Sequence, residues 1–211
     1  MQRRQFSAWG ASALLLPATT LLHSGAASAA TVGQPAHAFT LPDTAGRPVS
    51  LASFKGRPVV LEWHNPGCPF VRKHYSGNLQ ALQKEFTGKG VAWLAINSTR
   101  DDSADYMSPA QLGRWMDEKQ AAATATLMDE DGSVGQSYRA RVTPHMYIIN
   151  AQGVVVYAGA IDSIPSARVA DIERATNYVR QGLTELIAGQ PLNTPTSQAY
   201  GCSIKYRNAA S

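Results

Sequence analysis

The stretch Val59-Val60-Leu61-Glu62-Trp63-His64-Asn65-Pro66-Gly67-Cys68-Pro69-Phe70 constrains this chain more than any other. Val59 to Trp63 is a short apolar run of the kind that fills a buried strand. Asn65-Pro66-Gly67 closes it with a turn, and Pro69 suits a first helical turn, where its missing N–H costs nothing. The order is therefore strand, short turn, then a cysteine at a helix N-terminus. Orphan N–H groups and the positive end of the helix dipole gather there. Both favour thiolate over thiol, and the thiolate is the nucleophile. Arg72, Lys73, His64 and His74 add candidate positive charge nearby. Cys68 is accordingly expected to be a reactive thiol that titrates below the ~8.5 of free cysteine; the competing reading is an inert cysteine of the core.

The rest of the chain reads as one α/β domain. Phe39 to Leu51 predicts a hairpin turning at Thr44 to Arg47. After Cys68 a helix is expected from Pro69 to Phe86, with Tyr75, Leu79, Leu82 and Phe86 on one face, although Gly77-Asn78 weakens its middle. Val91 to Asn97 reads as a second buried strand. Ser108-Pro109 opens a helix to Lys119, Thr126 to Met128 is a short strand, and Ser133 to Arg139 a short helix. Met146 to Asn150 and Val154 to Tyr157 form a hairpin around Asn150-Ala151-Gln152-Gly153. A last helix is expected from Ser166 to Ile187, with Val169, Ile172, Ala175, Val179, Leu183 and Leu186 inward, ended by Gly189 and Pro191. Alternating strands and helices, finishing in a hairpin and a helix, imply a mixed central β-sheet flanked by helices on both faces. An N-terminal β-hairpin and a polar C-terminal tail complete it.

Residues 1–30 have the pattern of a signal peptide. Arg3-Arg4 precede an uncharged stretch rich in leucine, and Ala26-Ala27-Ser28-Ala29-Ala30 supplies small residues for cleavage. Arg3-Arg4-Gln5-Phe6 partly matches the twin-arginine export signature. The expected organisation is a signal peptide at 1–30, a domain at 31–190 and a tail at 191–211 carrying Cys202, with the mature protein in the periplasm or cell envelope and no membrane span. The net charge is +4, and +2 without Arg3 and Arg4. No basic run interleaves with aromatics, so nucleic acid is not an expected partner. Only Cys68 and Cys202 exist. An exported chain with an even cysteine count suggests one disulfide, structural or reactive.

These features resemble the thioredoxin superfamily over nearly the whole mature chain. Within it, the peroxiredoxin-like redoxin (AhpC/TSA-type) group carries an N-x-x-C-P-aromatic-V active site and ends in a Gly-Cys-Ser-Ile-Lys-aromatic segment. Here these read Asn65-Pro66-Gly67-Cys68-Pro69-Phe70-Val71 and Gly201-Cys202-Ser203-Ile204-Lys205-Tyr206. The resemblance implies a thioredoxin-like fold with Glu62 as the buried acid behind Cys68. It implies that Thr143-Pro144 is a cis-proline loop facing Cys68, offering backbone to an extended partner. Trp63, Asn65, Pro69, Phe70 and His145 become candidate substrate contacts.

The departures also inform. The fourth position of a C-x-x-C motif is Val71, so no dithiol forms within the motif and Cys202 is the remaining resolving thiol. The Thr or Ser that peroxiredoxins carry three residues before the cysteine is Asn65, and the Pro further upstream is Leu61. Three readings stay open. One is an oxidoreductase acting on a thiol or disulfide protein partner or a small peroxide, through Cys68 and Cys202 and without a cofactor. The second is a copper chaperone using Cys68 with His145 or His64, against which Arg72 stands where a second thiol ligand belongs. The third is a non-catalytic binding protein with a structural disulfide. Substrate, reductant and oligomeric state stay open at this level.

Overall fold

The computed structural model describes residues 31–207. The expected signal peptide at 1–30 lies outside the described residues. The chain runs β1 (Thr40–Pro42), β2 (Pro48–Ser50), β3 (Val59–Trp63), α1 (Pro69–His74), α2 (Asn78–Gly88), β4 (Ala92–Asn97), α3 (Pro109–Glu118), β5 (Ala125–Met128), α4 (Ser133–Ser137), β6 (Val142–Thr143), β7 (His145–Ile149), β8 (Val155–Gly159), α5 (Tyr178–Ile187) and β9 (Cys202–Ser203). Five strands make the central sheet in the order β5-β4-β3-β7-β8. β3 lies at its centre, parallel to β4 and antiparallel to β7. All five β3 residues are buried, which explains its unbroken apolar character: helices and loops cover both faces. β1 and β2 form the expected antiparallel hairpin.

The alternation of β3 divides the core. Leu61 and Trp63 pack with Phe39, Tyr138 and Tyr147 on one face. Val60 faces the other way, into a cluster with Cys68, Tyr75, Leu79, Leu82 and Phe86. Ser108 caps α3 as its sequence announces: its hydroxyl accepts from Gln111 N at 3.4 Å, while the Gln111 side chain accepts from Ser108 N at 2.8 Å.

Two expectations are corrected. The helix from Pro69 to Phe86 is two helices. Gly77 breaks it at φ +133°, a conformation that side chains resist, and the Gln80 side chain satisfies the freed Gly77 N–H. Tyr75, Leu79, Leu82 and Phe86 are still all buried. The helix from Ser166 to Ile187 is helical only from Tyr178, after a 3-10 turn at Val169–Asp171. Asp171 collects Ser166, Arg168 and Arg174 into a local side-chain knot, a competitor to helix, and Asn177 caps the later start by accepting from Arg180 N at 2.9 Å. Val169, expected inward, is half exposed.

The tail adds detail that the sequence does not carry. It is polar, as expected, and it folds back as a strap held by specific bonds. Ser197 Oγ bonds Tyr157 Oη and accepts from Ala160 N, Cys202–Ser203 pairs with Val142–Thr143, and Tyr206 Oη donates to Ala140 O at 2.7 Å. Among the described residues no helix is long and apolar enough to cross a membrane.

Candidate functional site

β3 ends at Trp63, and the next turn delivers Cys68 to the start of α1, as the N-cap residue before Pro69. Asn65 builds that turn. Its Oδ1 accepts from Gly67 N at 2.6 Å, and its Nδ2 donates to Thr99 Oγ1 at 2.7 Å and to the Asp105 carbonyl. Both ends of the amide are therefore spent on the scaffold. The Cys68 sulfur donates to Thr143 O at 3.0 Å, and the Thr143–Pro144 peptide is cis.

β6–β9 pairing puts Cys202 opposite Thr143, so the strap crosses the same backbone that Cys68 touches. Cys202 packs against the cluster that holds Cys68, the two line one small pocket, and both cysteines are free. Burial, followed by the Cys68 sulfur and the Asp105 carboxylate, pushes the Cys202 thiol up to about 12, against a smaller downward pull from Lys205. Gly201 makes the crossing possible: it adopts φ +139°, and a Cβ there would fall on the Thr143 carbonyl. The pair encloses a pocket of about 30 Å³ beside Asn65, Thr99 and Asp105, room for one or two water-sized molecules. Cys68 is only 2% exposed.

Glu62 lies under this layer, fully buried. Its carboxylate accepts from Trp93 Nε1 at 2.6 Å, Tyr75 Oη at 2.8 Å and Gln83 Nε2 at 3.1 Å. Burial raises its pKa despite these three donors. Tyr75, Gln83 and Trp93 thus belong to the acid's setting, and no local motif marks them.

The positive charge expected around Cys68 is not free. Lys73 is buried and paired with Asp162 at 3.0 Å, and Arg72 Nε donates to the Pro66 carbonyl. Burial lowers His64 to about 3 and His74 to about 4, so both rings are neutral at pH 7. The helix that Cys68 caps has six residues, and the sulfur makes no capping bond to it.

The other sequence candidates divide. Pro69 is exposed and Phe70 half-buried at the rim, where Phe70 meets the Tyr200 ring at 5.7 Å. Trp63 is fully buried on the opposite face, donating to Ser98 Oγ at 3.0 Å, and has no surface with which to meet a partner. His145 is buried against Tyr147 and accepts from Arg141 N through Nδ1; burial lowers it to about 4. Both nitrogens of His64 lack a hydrogen-bond partner. Among the described residues no group of three or more His, Cys, Asp or Glu side chains is placed to share a metal ion. No local motif marks Asp105, Asp162 or Tyr200. Only the fold brings them to the cysteines.

Comparison with known proteins agrees with this architecture. The AhpC/TSA family model matches residues 32–158. That stretch holds Glu62, Cys68 and Thr143-Pro144 but stops before the strap. A Mycobacterium tuberculosis protein named as a candidate peroxiredoxin is 30% identical over 154 residues, 71% of this chain and 90% of the relative. The thiol:disulfide interchange protein DsbE of Pseudomonas aeruginosa is 26% identical over 137 residues, 63% of this chain and 69% of that protein. The crystal structure of a conserved protein from Geobacillus kaustophilus superimposes with a TM-score of 0.72 at 28% identity, covering 86% of this chain and 95% of that one. With its mixed five-stranded sheet and this match, the chain belongs to the AhpC/TSA family, in the redoxin group of the thioredoxin superfamily.

Proposed function

We propose that this protein is an exported thiol–disulfide oxidoreductase in which Cys68 is the nucleophile and Cys202 the resolving thiol. The observation that carries the reading is that Cys202 pairs with Thr143, whose carbonyl the Cys68 sulfur meets at 3.0 Å, so that the two cysteines line one small pocket. The relatives named for disulfide interchange and peroxide chemistry support a thiol redox reaction. The signal-peptide pattern of residues 1–30 supports a site of action in the periplasm or envelope.

In the oxidising half-reaction the Cys68 thiolate attacks one sulfur of a disulfide RS–SR′. A Cys68–SR mixed disulfide forms and R′S⁻ leaves. The Cys202 thiolate then attacks the Cys68 sulfur, the Cys68–Cys202 bond forms, and RS⁻ leaves. The two cysteines are oxidised, the disulfide is reduced to two thiols, and the two thiol protons pass to the leaving groups. Run backwards, the bridge oxidises a dithiol partner. Thr143 O orients the Cys68 sulfur, and Glu62, held toward its neutral form by burial, is the buried group able to exchange a proton beneath it. The small pocket beside Cys68 favours a second reading, in which hydrogen peroxide oxidises the thiolate to a sulfenic acid with loss of hydroxide, and Cys202 displaces water to close the same bridge. The spent amide of Asn65 offers no donor to that peroxide.

The test uses glutathione disulfide and Cys202→Ser. The variant should accumulate a Cys68–glutathione adduct that the unaltered protein clears by closing its bridge. Equal adduct lifetimes in the two proteins would remove Cys202 from the reaction.

A further inference from the structure

The helix that Cys68 begins leads to one buried carboxylate that the redox reading does not use. Asp162 follows β8, and its Oδ2 takes Lys73 Nζ at 3.0 Å, with His74 Nε2 at 3.6 Å. Lys73 and His74 belong to α1, the helix begun by Cys68. Asp162 Oδ1 accepts from Ile164 N and from the Tyr200 hydroxyl. Tyr200 lies two residues before Cys202. Its ring meets Phe70 of α1 edge-on at 5.7 Å, and Lys73 Nζ stands 5.7 Å from its centre. One carboxylate therefore bolts the nucleophile's helix to the resolving strand.

A buried ion pair of this kind contributes little net stability over an apolar packing of the same shape. It does fix one geometry, because each partner left alone would be an unpaired buried group. Here the fixed geometry is the strap's register: Tyr200 held, Gly201 over Thr143, and Cys202 beside Cys68. In that register Cys68 is almost fully covered and the space beside it is water-sized.

We propose that Asp162 is a positioning residue that acts through Tyr200 to hold the Cys202 strap closed. The closed strap admits only oxidants of about the size of water to Cys68, while a bulky disulfide reaches the sulfur when the Tyr200–Asp162 latch opens. The inference rests on Cys68 being the nucleophile, and it divides the substrates of that thiol by size.

Two probes of Cys68 separate the effects: hydrogen peroxide, and the bulky aromatic disulfide dithiobis(nitrobenzoate), each followed by peptide mapping of the full chain. Tyr200→Phe keeps the ring and removes the hydroxyl. The hydroxyl meets both Asp162 and, at 3.4 Å, His74 Nε2, and its loss should raise the rate of the bulky reagent at Cys68 about tenfold, chiefly through the lost bond to the charged carboxylate on a local opening. The peroxide rate should change less than about twofold. Tyr200→Ala, which also gives up the contacts with Phe70 and Lys73, should raise the bulky rate further. Asp162→Asn should behave like Tyr200→Phe, and if the unpaired Lys73 prevents that variant from folding, the two Tyr200 variants decide the matter. An unchanged bulky rate in both Tyr200 variants, or equal acceleration of both reagents, overturns the inference. A Cys68 that reacts with neither reagent in any of the proteins overturns the nucleophile reading, and the latch falls with it.

Discussion

Cys68 and Cys202 meet at one point of the fold and are held there by opposite means. Cys68 hangs from the central strand of the sheet and heads a helix whose inner face is core. Displacing it would mean opening the domain. Cys202 belongs to a two-residue strand in a strap tied down by side chains on either side of it, chiefly Ser197, Tyr200 and Tyr206. Its residues lie at the edge of the core, partly buried, and its ladder is only two residue pairs long. Local opening draws on segments with few buried apolar contacts, so the mobility a disulfide exchange needs belongs to the resolving cysteine and the rigidity to the nucleophile.

The sharpest way to break this comparison is Gly201→Ala. A side chain at φ +139° is strained, and its Cβ would overlap the Thr143 carbonyl. The strap should leave its register, lowering the yield of Cys68–Cys202 bridge under a fixed glutathione buffer by at least about tenfold from backbone strain alone. The α/β domain should keep its secondary structure, read by circular dichroism. A variant that bridges as well as the parent would show that the strap's path does not position Cys202.

A smaller effect comes from charge. Cys202 must lose its proton to attack; burial and the Asp105 carboxylate both hold its thiol up, and in the reduced pair the Cys68 sulfur adds to them. Below its pKa the thiolate fraction rises with pH, so bridge closure should accelerate from neutral to alkaline pH. Asp105→Asn removes one upward push and should speed closure at pH 7 by less than about tenfold, as befits an exposed and screened charge. Stopped-flow closure rates across pH check both. A slower Asp105→Asn would assign that carboxylate some role other than repulsion.

Much of the nucleophile's side is legible in the sequence because its determinants are local. The apolar run of β3, the Asn65-Pro66-Gly67 turn and Pro69 lie side by side, and Ser108-Pro109 announces α3 in the same way. The break at Gly77 is half visible in Gly77-Asn78, but the Glu62 setting that Tyr75 joins is completed by Gln83 and Trp93 from other elements. The segment from Ser166 to Asn177 has helical spacing yet folds around Asp171, because side-chain bonds there compete with the backbone's own. The strap misleads most. Its polar composition reads as flexible, whereas Ser197, Tyr200 and Gly201 are each matched to a distant site that only the folded chain supplies. Arg72, Lys73 and His74 mislead in the reverse sense. They are near Cys68 in sequence, but Lys73 and His74 turn to Asp162 and Arg72 braces the Pro66 carbonyl.

The central claim is that the two thiols are one redox couple. The most direct measurement oxidises the full-length protein with one equivalent of glutathione disulfide, blocks free thiols, digests it without reduction and identifies the linked peptides by mass spectrometry. The account predicts a dominant peptide pair joined through Cys68 and Cys202, reversed by dithiothreitol. Oxidised protein in which Cys68 carries a stable glutathione while Cys202 remains a free, alkylatable thiol would contradict it.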